Sequence, residues 1–281
     1  MSSPEHFRGV AFYGCGSMGS ALVRGFARDD SPTRLVVIAR DRARMQARLE
    51  GTPAVIVTDP GAPEVGDCDA VLIGVKPQVL REIVSDLAPL CAGRAVISVA
   101  AGVDCAFLRK GLPEATSIIR SLPNLAVAKG EGLTALCATA DVGSAQNTSA
   151  QNASDRRKAD ALFAPAGGSA WVGTEDELNV VTAISGSALA FYFAFTEALA
   201  AVGEGSGLDG ELAGRFALQT LVGAGAMAKG LGLEQITALK HAVTSKGGTT
   251  AAGLAILEGE QGFKPLLQSA VDAAIARARQ L

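Results

Sequence analysis

The chain has 281 residues, of which 48% are hydrophobic and 19% are charged, and its formal net charge is −3. This composition excludes an intrinsically disordered chain, and the small negative charge argues against a broad surface for nucleic acid or for anionic membranes. The length is sufficient for two domains, each with a core of its own.

The five cysteines stand far apart and show no metal-binding spacing, so no metal site is predicted. Most of them are expected to be small buried residues in a reducing compartment. Residues 1–8 contain no apolar signal core. Together these features predict a soluble, cytoplasmic protein.

The first predicted strand, residues 10–13, is apolar and runs directly into three glycines that are followed by a helical pattern. In a dinucleotide-binding turn, Gly14 allows the sharp turn, Gly16 lets the backbone approach a pyrophosphate, and Gly19 lets the helix pack on the strand. The pyrophosphate would bind at the positive end of that helix. The alternative is an ordinary glycine-rich turn in a chain with 33 glycines. The predicted cofactor contacts in this turn are Gly14, Gly16, Ser17, Met18 and Gly19.

Arg40 follows the second predicted strand, residues 35–39, where such folds meet the adenosine ribose. NAD-preferring sites carry Asp or Glu at this position, whereas arginine suits a 2′-phosphate through its charge and its paired donors. The sequence therefore predicts NADPH as the cofactor, with NADH possible. Arg42 and Arg44 are assigned to the solvated face of the next helix, and Asp41 is a candidate cap for it.

Further apolar runs of strand length alternate with helical stretches, which predicts a parallel, doubly wound sheet. These runs are residues 55–57, 70–75, 95–99, 118–119, 133–137 and 169–172. Ligands bind at the carboxyl ends of the strands in such sheets, so the loops after two of these strands join the glycine turn as candidate cofactor contacts. The candidates in these two loops are Lys76, Pro77, Ala100, Ala101 and Gly102.

The segment of residues 141–158 is polar and rich in small side chains, and it is predicted to be a surface loop. A helix that ends near Phe163 and a last strand complete the first domain. We place this Rossmann-type, dinucleotide-binding domain at residues 1–173.

Residues 174–281 form the second predicted domain, which is all helical. Thr174 and Glu177 match a capping box, and a kink is expected at residues 185–187. The helices are apolar on more than one face, and a domain of this size cannot bury them alone, so a homodimer through the C-terminal helices is expected. Residues 188–202 are the most apolar helical stretch, judged too short to span a bilayer.

A loop of small and hydroxyl-bearing residues opens one of these helices within residues 243–258. Its glycines expose backbone N–H groups, and a helix start favours an anion such as a carboxylate. An ordinary helix cap with flanking glycines is the alternative. The loop contains Ser245, Gly247, Gly248, Thr249 and Thr250.

This last stretch resembles the signature of the pyrroline-5-carboxylate reductase family, and the resemblance extends over nearly the whole chain. Other matching motifs are residues 10–19, 74–78 and 97–103, Arg120 with Pro123 and Asn124, and residues 185–187. The resemblance implies a Rossmann domain followed by a helical domain that interlaces two subunits, with further assembly of dimers possible. The implied reaction, the last step of proline synthesis, is hydride transfer from NAD(P)H to the cyclic imine Δ1-pyrroline-5-carboxylate, which gives L-proline. The implied active site lies between the nucleotide domain of one subunit and helical elements of the dimer.

The same resemblance implies roles for individual residues. Thr250 is the hydroxyl expected near the imine nitrogen, and Lys76 is expected near nicotinamide and substrate, although a surface lysine before a proline is the alternative. The expected carboxylate cradle consists of Ser245, Gly247, Gly248 and Thr249. The remaining expected cofactor contacts are Val75 and Asn124.

The chain departs from the family pattern at several positions. Ala188 and Leu189 stand where Gly-Pro is usual, Leu125 replaces a threonine, and Lys246 stands where proline is common. These changes leave open two other functions: a related reductase of another cyclic imine, and an NADPH-binding regulator without turnover. A β-hydroxyacid dehydrogenase is disfavoured, because the helix at residues 186–200 lacks the lysine that such enzymes carry.

Overall fold

The computed structural model describes residues 6–28, 31–138 and 149–280. The chain divides into two compact units, one formed by Met1–Gly186 with Ile275–Leu281 and the other by Ser187–Ala274. This division by compactness does not test the domain boundary placed between residues 173 and 174, which stays a prediction.

Eight strands of the first unit form one sheet, and their bounds are β1 (Gly9–Tyr13), β2 (Arg34–Ile38), β3 (Val55–Val57), β4 (Ala70–Ile73), β5 (Ala95–Ser98), β6 (Ser117–Leu122), β7 (Thr134–Cys137) and β8 (Ser169–Trp171). Their spatial order is β3-β2-β1-β4-β5-β6-β7-β8, and the pairs from β3 to β6 are all parallel. The doubly wound sheet predicted from the sequence is therefore confirmed.

Two strands depart from the parallel pattern, because β7 pairs with β6 in the antiparallel sense and β8 pairs with β7 in parallel. The connection between β6 and β7 is short and holds a 3₁₀ turn, Leu125–Lys129. A parallel neighbour requires a crossover of a dozen residues or more, usually a helix, whereas an antiparallel neighbour does not. The expectation of a parallel sheet is wrong for β7 and β8, which run opposite to the six strands before them.

The helices that accompany the sheet are α1 (Ser17–Phe26), α2 (Arg42–Arg48), α3 (Pro63–Gly66), α4 (Pro77–Ile83), α5 (Ala88–Cys91), α6 (Cys105–Gly111), α7 (Ser149–Phe163) and α8 (Glu175–Val181). The side chain of Asp41 accepts a hydrogen bond from the backbone nitrogen of Arg44 at 3.0 Å, so its predicted role as the cap of α2 is confirmed. Thr174 and Glu177 form both bonds of the predicted capping box.

The prediction of a surface loop over residues 141–158 is wrong from Ser149 onward, where α7 begins. Some of its polar side chains have hydrogen-bond partners within the fold. Asp155 is buried and accepts hydrogen bonds from the hydroxyls of Thr116 at 3.0 Å and Ser117 at 2.8 Å. Composition alone therefore could not distinguish this helix from a loop. The part of the prediction that falls on residues 139–148 lies outside the described residues.

Apolar clusters cover both faces of the sheet, as the alternation of side chains along buried strands requires. On one face, Phe26 of α1 packs edge-on against Phe163 of α7, with ring centroids 5.1 Å apart. On the other face, Val71 and Ile73 of β4 pack with Leu80 of α4. These clusters fix the helices that begin at the carboxyl edge of the sheet.

Five further helices follow, α9 (Ala188–Gly205), α10 (Gly210–Ala228), α11 (Leu233–Ala242), α12 (Thr249–Leu257) and α13 (Phe263–Ala278). The predicted all-helical character is confirmed. Within Ser187–Ala274, the buried residues are Ala213 and Ala217 alone, both on α10. Large apolar side chains on these helices are exposed instead, among them Tyr192, Phe193, Phe216, Ile256 and Leu266.

The kink expected at residues 185–187 is a π-helical segment, Thr182–Ser187, which joins α8 to α9 without a break. The resulting helix, Glu175–Gly205, has 31 residues, and it is long and apolar enough to cross a membrane by length and composition. Residues 188–202, which were expected to be too short to span a bilayer, are thus part of a longer helix that begins at Glu175.

Gly25 is the point where α1 packs most closely on the 3₁₀ turn, because a Cβ there would lie 2.4 Å from the carbonyl oxygen of Val127. We expect Gly25→Ala to lower the free energy of unfolding by about 2 kcal/mol or more, since overpacking a tight contact forces backbone shifts. Urea denaturation followed by circular dichroism measures this change. Gly66→Ala is the matched control, because a Cβ at Gly66 meets no atom within 4 Å. Equal effects of the two substitutions would contradict the packing argument.

All five cysteines are free and buried, whereas the sequence predicted burial for most of them. Burial raises the pKa of Cys68 to about 11 and that of Cys91 to about 12, and it also raises the pKa of Cys15 and Cys137. Because the thiolate is the reactive form, we expect almost no reaction of the native protein with Ellman's reagent at pH 8. Unfolding in urea should then release all five thiols. A thiol that reacts within seconds in the native protein would show that one site is accessible.

Candidate cofactor and substrate sites

The carboxyl ends of β1, β2, β4, β5 and β6 lie on one edge of the sheet, since these strands are parallel neighbours. Open α/β sheets bind ligands at this edge, next to the point where the strand order reverses, which here falls between β1 and β4. The structure brings together there all the sequence-predicted cofactor residues: Gly14, Gly16, Ser17, Met18 and Gly19 after β1, Arg40 after β2, Val75, Lys76 and Pro77 after β4, Ala100, Ala101 and Gly102 after β5, and Asn124 after β6.

The centre of this edge is a close approach of two backbones. Gly14 has a φ of +88°, and a Cβ on it would lie 2.5 Å from Cγ1 of Val75. A Cβ on Gly74 would lie 2.4 Å from the carbonyl oxygen of Gly14, and the Gly74 nitrogen donates to the Tyr13 carbonyl at 2.9 Å. A side chain at either glycine would push the loops after β1 and β4 apart.

The start of α1 is available to an anion. Its N-cap, Gly16, contributes no side-chain cap, and the first turn contains no acidic residue. The helical ladder begins when the Ser20 nitrogen donates to the Gly16 carbonyl at 2.9 Å, so the N–H groups of the three residues before Ser20 have no partner within the helix. A Cβ on Gly16 would meet nothing within 4 Å, so the described residues leave open space beside this turn. This arrangement fits a dinucleotide pyrophosphate.

Arg40 is exposed immediately after β2 and its neighbour Asp41 is committed to capping α2. The described residues provide no hydrogen bond or ion pair for the Arg40 guanidinium. An uncommitted cation at this edge fits a ribose 2′-phosphate. Arg42 and Arg44 are also exposed, as expected for the outer face of α2.

Arg81 holds the loop after β5, a role that the sequence did not reveal. Its Nη2 donates to the carbonyl oxygen of Gly102 at 2.6 Å, and Gly102 itself has a φ of +69°. Arg81 lies one turn into α4, which begins at Pro77 directly after the exposed Lys76. The loops after β4 and β5 are therefore tied to each other.

Glu175 is a second residue whose structural role was missed, because the sequence assigned it only to a capping segment. Its Oε1 accepts from the backbone nitrogen of Cys105 at 2.9 Å and from Nη1 of Arg120 at 2.8 Å. Arg120 lies in the buried strand β6, and a buried cation needs a carboxylate partner. A lone arginine inside an apolar strand was thus the signal that could have predicted an acidic partner.

In the second unit, the loop before α12 has the same features as the start of α1. Gly248 is the N-cap, no side chain caps the helix, and the first turn contains no acidic residue. Gly247 has a φ of +70°, and the Gly248 nitrogen donates to the carbonyl of Ser245 at 3.0 Å. Thr249 and Thr250 are the first two helical residues and both are exposed. Free N–H groups beside hydroxyls suit a carboxylate.

Two family models match the chain. The model described as pyrroline-5-carboxylate reductase dimerisation matches residues 175–281. The model described as NADP oxidoreductase, coenzyme F420-dependent, matches residues 9–102, which contain the glycine turn and the loops after β4 and β5.

Relatives of known name match over the full length. A pyrroline-5-carboxylate reductase of Pseudomonas aeruginosa is 33% identical over 100% of this chain and 98% of its own, and one of Mycobacterium tuberculosis is 36% identical over 97% and 96%. Among solved structures, a pyrroline-5-carboxylate reductase from Coxiella burnetii has a TM-score of 0.81 at 29% identity, covering 96% of this chain and 97% of its own. A pyrroline carboxylate reductase from Plasmodium falciparum with NADP bound has a TM-score of 0.74 at 25% identity, covering 99% of each chain. This chain belongs to the pyrroline-5-carboxylate reductase family.

Proposed function

We propose that this protein is an NADPH-dependent pyrroline-5-carboxylate reductase, which converts the cyclic imine Δ1-pyrroline-5-carboxylate to L-proline. One observation carries the proposal: full-length similarity to relatives of that name coincides with two uncapped helix starts of the required kind. One start suits the pyrophosphate of a dinucleotide, and the other suits the carboxylate of an imino acid.

The cofactor site is assigned to the carboxyl edge of the sheet. The N–H groups of Ser17, Met18 and Gly19 hold the pyrophosphate, and Arg40 binds the 2′-phosphate that distinguishes NADPH from NADH. The loops around Lys76 and Gly102 contact the nicotinamide end. When bound, the cofactor supplies the hydride, and the protein supplies binding, orientation and electrostatics.

The substrate site is assigned to the start of α12. The backbone N–H groups that follow Gly248 bind the carboxylate, in a cradle that Gly247 and Gly248 shape, with hydroxyls from Ser245 and Thr249. Thr250 is assigned to the imine nitrogen, and Lys76 to the region between nicotinamide and substrate. No strong acid is needed, because a protonated imine is already electrophilic. Positioning therefore carries most of the catalysis that this chain supplies.

The exposed apolar side chains of the helical region are assigned to a homodimer. Tyr192, Phe193 and Phe216 lie on helices within the matched dimerisation segment, and isolated subunits rarely leave such contiguous surface in water. The same burial accounts for the apolar helix Glu175–Gly205 without a membrane. A higher assembly of dimers and a cytoplasmic location are further proposals, the second supported by the free thiols.

Thr250→Val should lower kcat for NADPH oxidation with Δ1-pyrroline-5-carboxylate by about 10- to 100-fold. Valine keeps the shape of the threonine side chain but lacks its hydroxyl, so the variant loses the hydrogen bond that is assigned to the imine nitrogen. Thr250→Ser keeps the hydroxyl and should stay within a few-fold of the wild type. Steady-state loss of NADPH absorbance measures both variants.

Two outcomes would contradict this assignment. A Thr250→Val variant with wild-type kcat would remove the hydroxyl from the reaction. A wild-type protein that binds NADPH tightly but turns over no pyrroline-5-carboxylate would reject the proposed substrate, and other cyclic imines would then be assayed.

Arg40→Glu should raise KM for NADPH by about tenfold or more and change KM for NADH by less than about threefold, because only NADPH carries the 2′-phosphate. Arg42→Glu is the matched control, since it makes the same charge change on the exposed face of α2. Equal effects of Arg40→Glu on both cofactors, or equal effects of the two variants on NADPH, would exclude Arg40 as the phosphate ligand.

A further inference from the structure

Asn124 is held more firmly than any other predicted cofactor residue that carries a polar side chain. It follows β6 at the carboxyl edge of the sheet, beside the loop after β5. Its Oδ1 accepts a hydrogen bond from the backbone nitrogen of Ala126 at 3.0 Å, and its Nδ2 donates to Oγ of Ser185, also at 3.0 Å. Both ends of its carboxamide are thus bonded.

These two bonds also settle which way the carboxamide faces. A backbone N–H can only donate, so the atom next to the Ala126 nitrogen must be the oxygen, and the NH₂ group must face Ser185. An amide NH₂ has two hydrogens. One is used by Ser185, and no acceptor for the other is found within the part of the chain that the structure describes.

The partner hydroxyl comes from an unusual piece of helix. Ser185 lies in the π-helical segment Thr182–Ser187, and π-helical turns are rare and concentrated at functional sites. The extra residue in a π turn changes the direction in which the following side chains project. The hydroxyl of Thr182, in the same segment, donates to the carbonyl of Leu178 at 2.8 Å and so stays within its own helix. Ser185 instead reaches the loop after β6.

We propose that Ser185 is a positioning residue for the cofactor site, in which its hydroxyl fixes the carboxamide of Asn124 so that the second amide N–H is available to NADPH. Ser185 itself does not contact the reacting atoms. The proposal rests on the proposed NADPH site. In it, the π-helical segment directs the Ser185 hydroxyl towards the carboxamide of Asn124. A regular helix over the same residues would project position 185 differently and leave the carboxamide held at one end.

The test measures NADPH affinity by titration calorimetry without any imine. Ser185→Ala should weaken NADPH binding by about three- to tenfold, which is the change in affinity expected from the loss of one hydrogen bond. Asn124→Ala should weaken it at least as much, and the double variant should be no worse than Asn124→Ala, because both substitutions act through the same amide. Ser185→Thr, which keeps the hydroxyl, should restore most of the affinity.

Thr182→Val is the matched control. It also removes one hydroxyl hydrogen bond from the π-helical segment, so a purely structural effect would appear equally in both variants. We expect Thr182→Val and Ser185→Ala to lower the melting temperature alike, and Ser185→Ala alone to weaken NADPH binding. Unchanged NADPH affinity in Ser185→Ala, equal losses in the two variants, or additive losses in the double variant would overturn the proposal.

The calorimetric series separates this proposal from the proposed reaction. A wild-type protein that binds NADPH and turns over no imine would reject the reaction, while the binding constants still decide the role of Ser185. A wild-type protein with full turnover and no effect of Ser185→Ala on binding would overturn the role of Ser185 alone. A wild-type protein that does not bind NADPH would overturn both.

Discussion

The contact between the Gly14 and Gly74 backbones is the constraint on which the nucleotide-binding unit depends. It sets the spacing of the loops after β1 and β4, and no side chain fits between them. After the first of these loops α1 starts with no side-chain cap on its N–H groups, and after the second α4 starts at Pro77. Arg81 then ties the loop after β5 to α4, and Glu175 ties the start of α6 to β6. The carboxyl edge of the sheet is therefore held by contacts between backbones and by hydrogen bonds from single polar side chains.

The helical region, in contrast, buries very few of its own side chains. Its helices are long, yet Ala213 and Ala217 are the buried residues among Ser187–Ala274. Helices with apolar side chains on several faces gain stability mainly by burial, so this part of the chain depends on a second subunit for most of its packing. Folding of the helices and formation of the dimer are therefore expected to be one thermodynamic event, whereas the sheet has its own core.

Much of this could be predicted from the sequence, because the decisive features are local. The predicted bounds of strand β3 match those of the structure, and the cap at Asp41 and the capping box at Thr174 were predicted correctly. Every predicted cofactor residue lies at one edge of the sheet. The failures involve tertiary compensation. Helix α7 has a loop-like composition, and its buried Asp155 is bonded to the hydroxyls of Thr116 and Ser117 at the start of β6. The antiparallel strand β7 and the bond between Asn124 and Ser185 join residues whose pairing no local pattern encodes. The roles of the site residues stay predictions until ligands are bound.

Gly14 and Gly16 belong to one motif but are under different constraints. A methyl group at Gly14 collides with Val75, so it harms the folded chain itself, whereas a methyl group at Gly16 meets only empty space that a ligand would fill. Substitution at Gly16 thus leaves a subunit that folds and still pairs with a normal one. Substitution at Gly14 is therefore expected to disturb the fold and the turn together, whereas substitution at Gly16 is expected to leave the fold intact and to act on ligand binding alone.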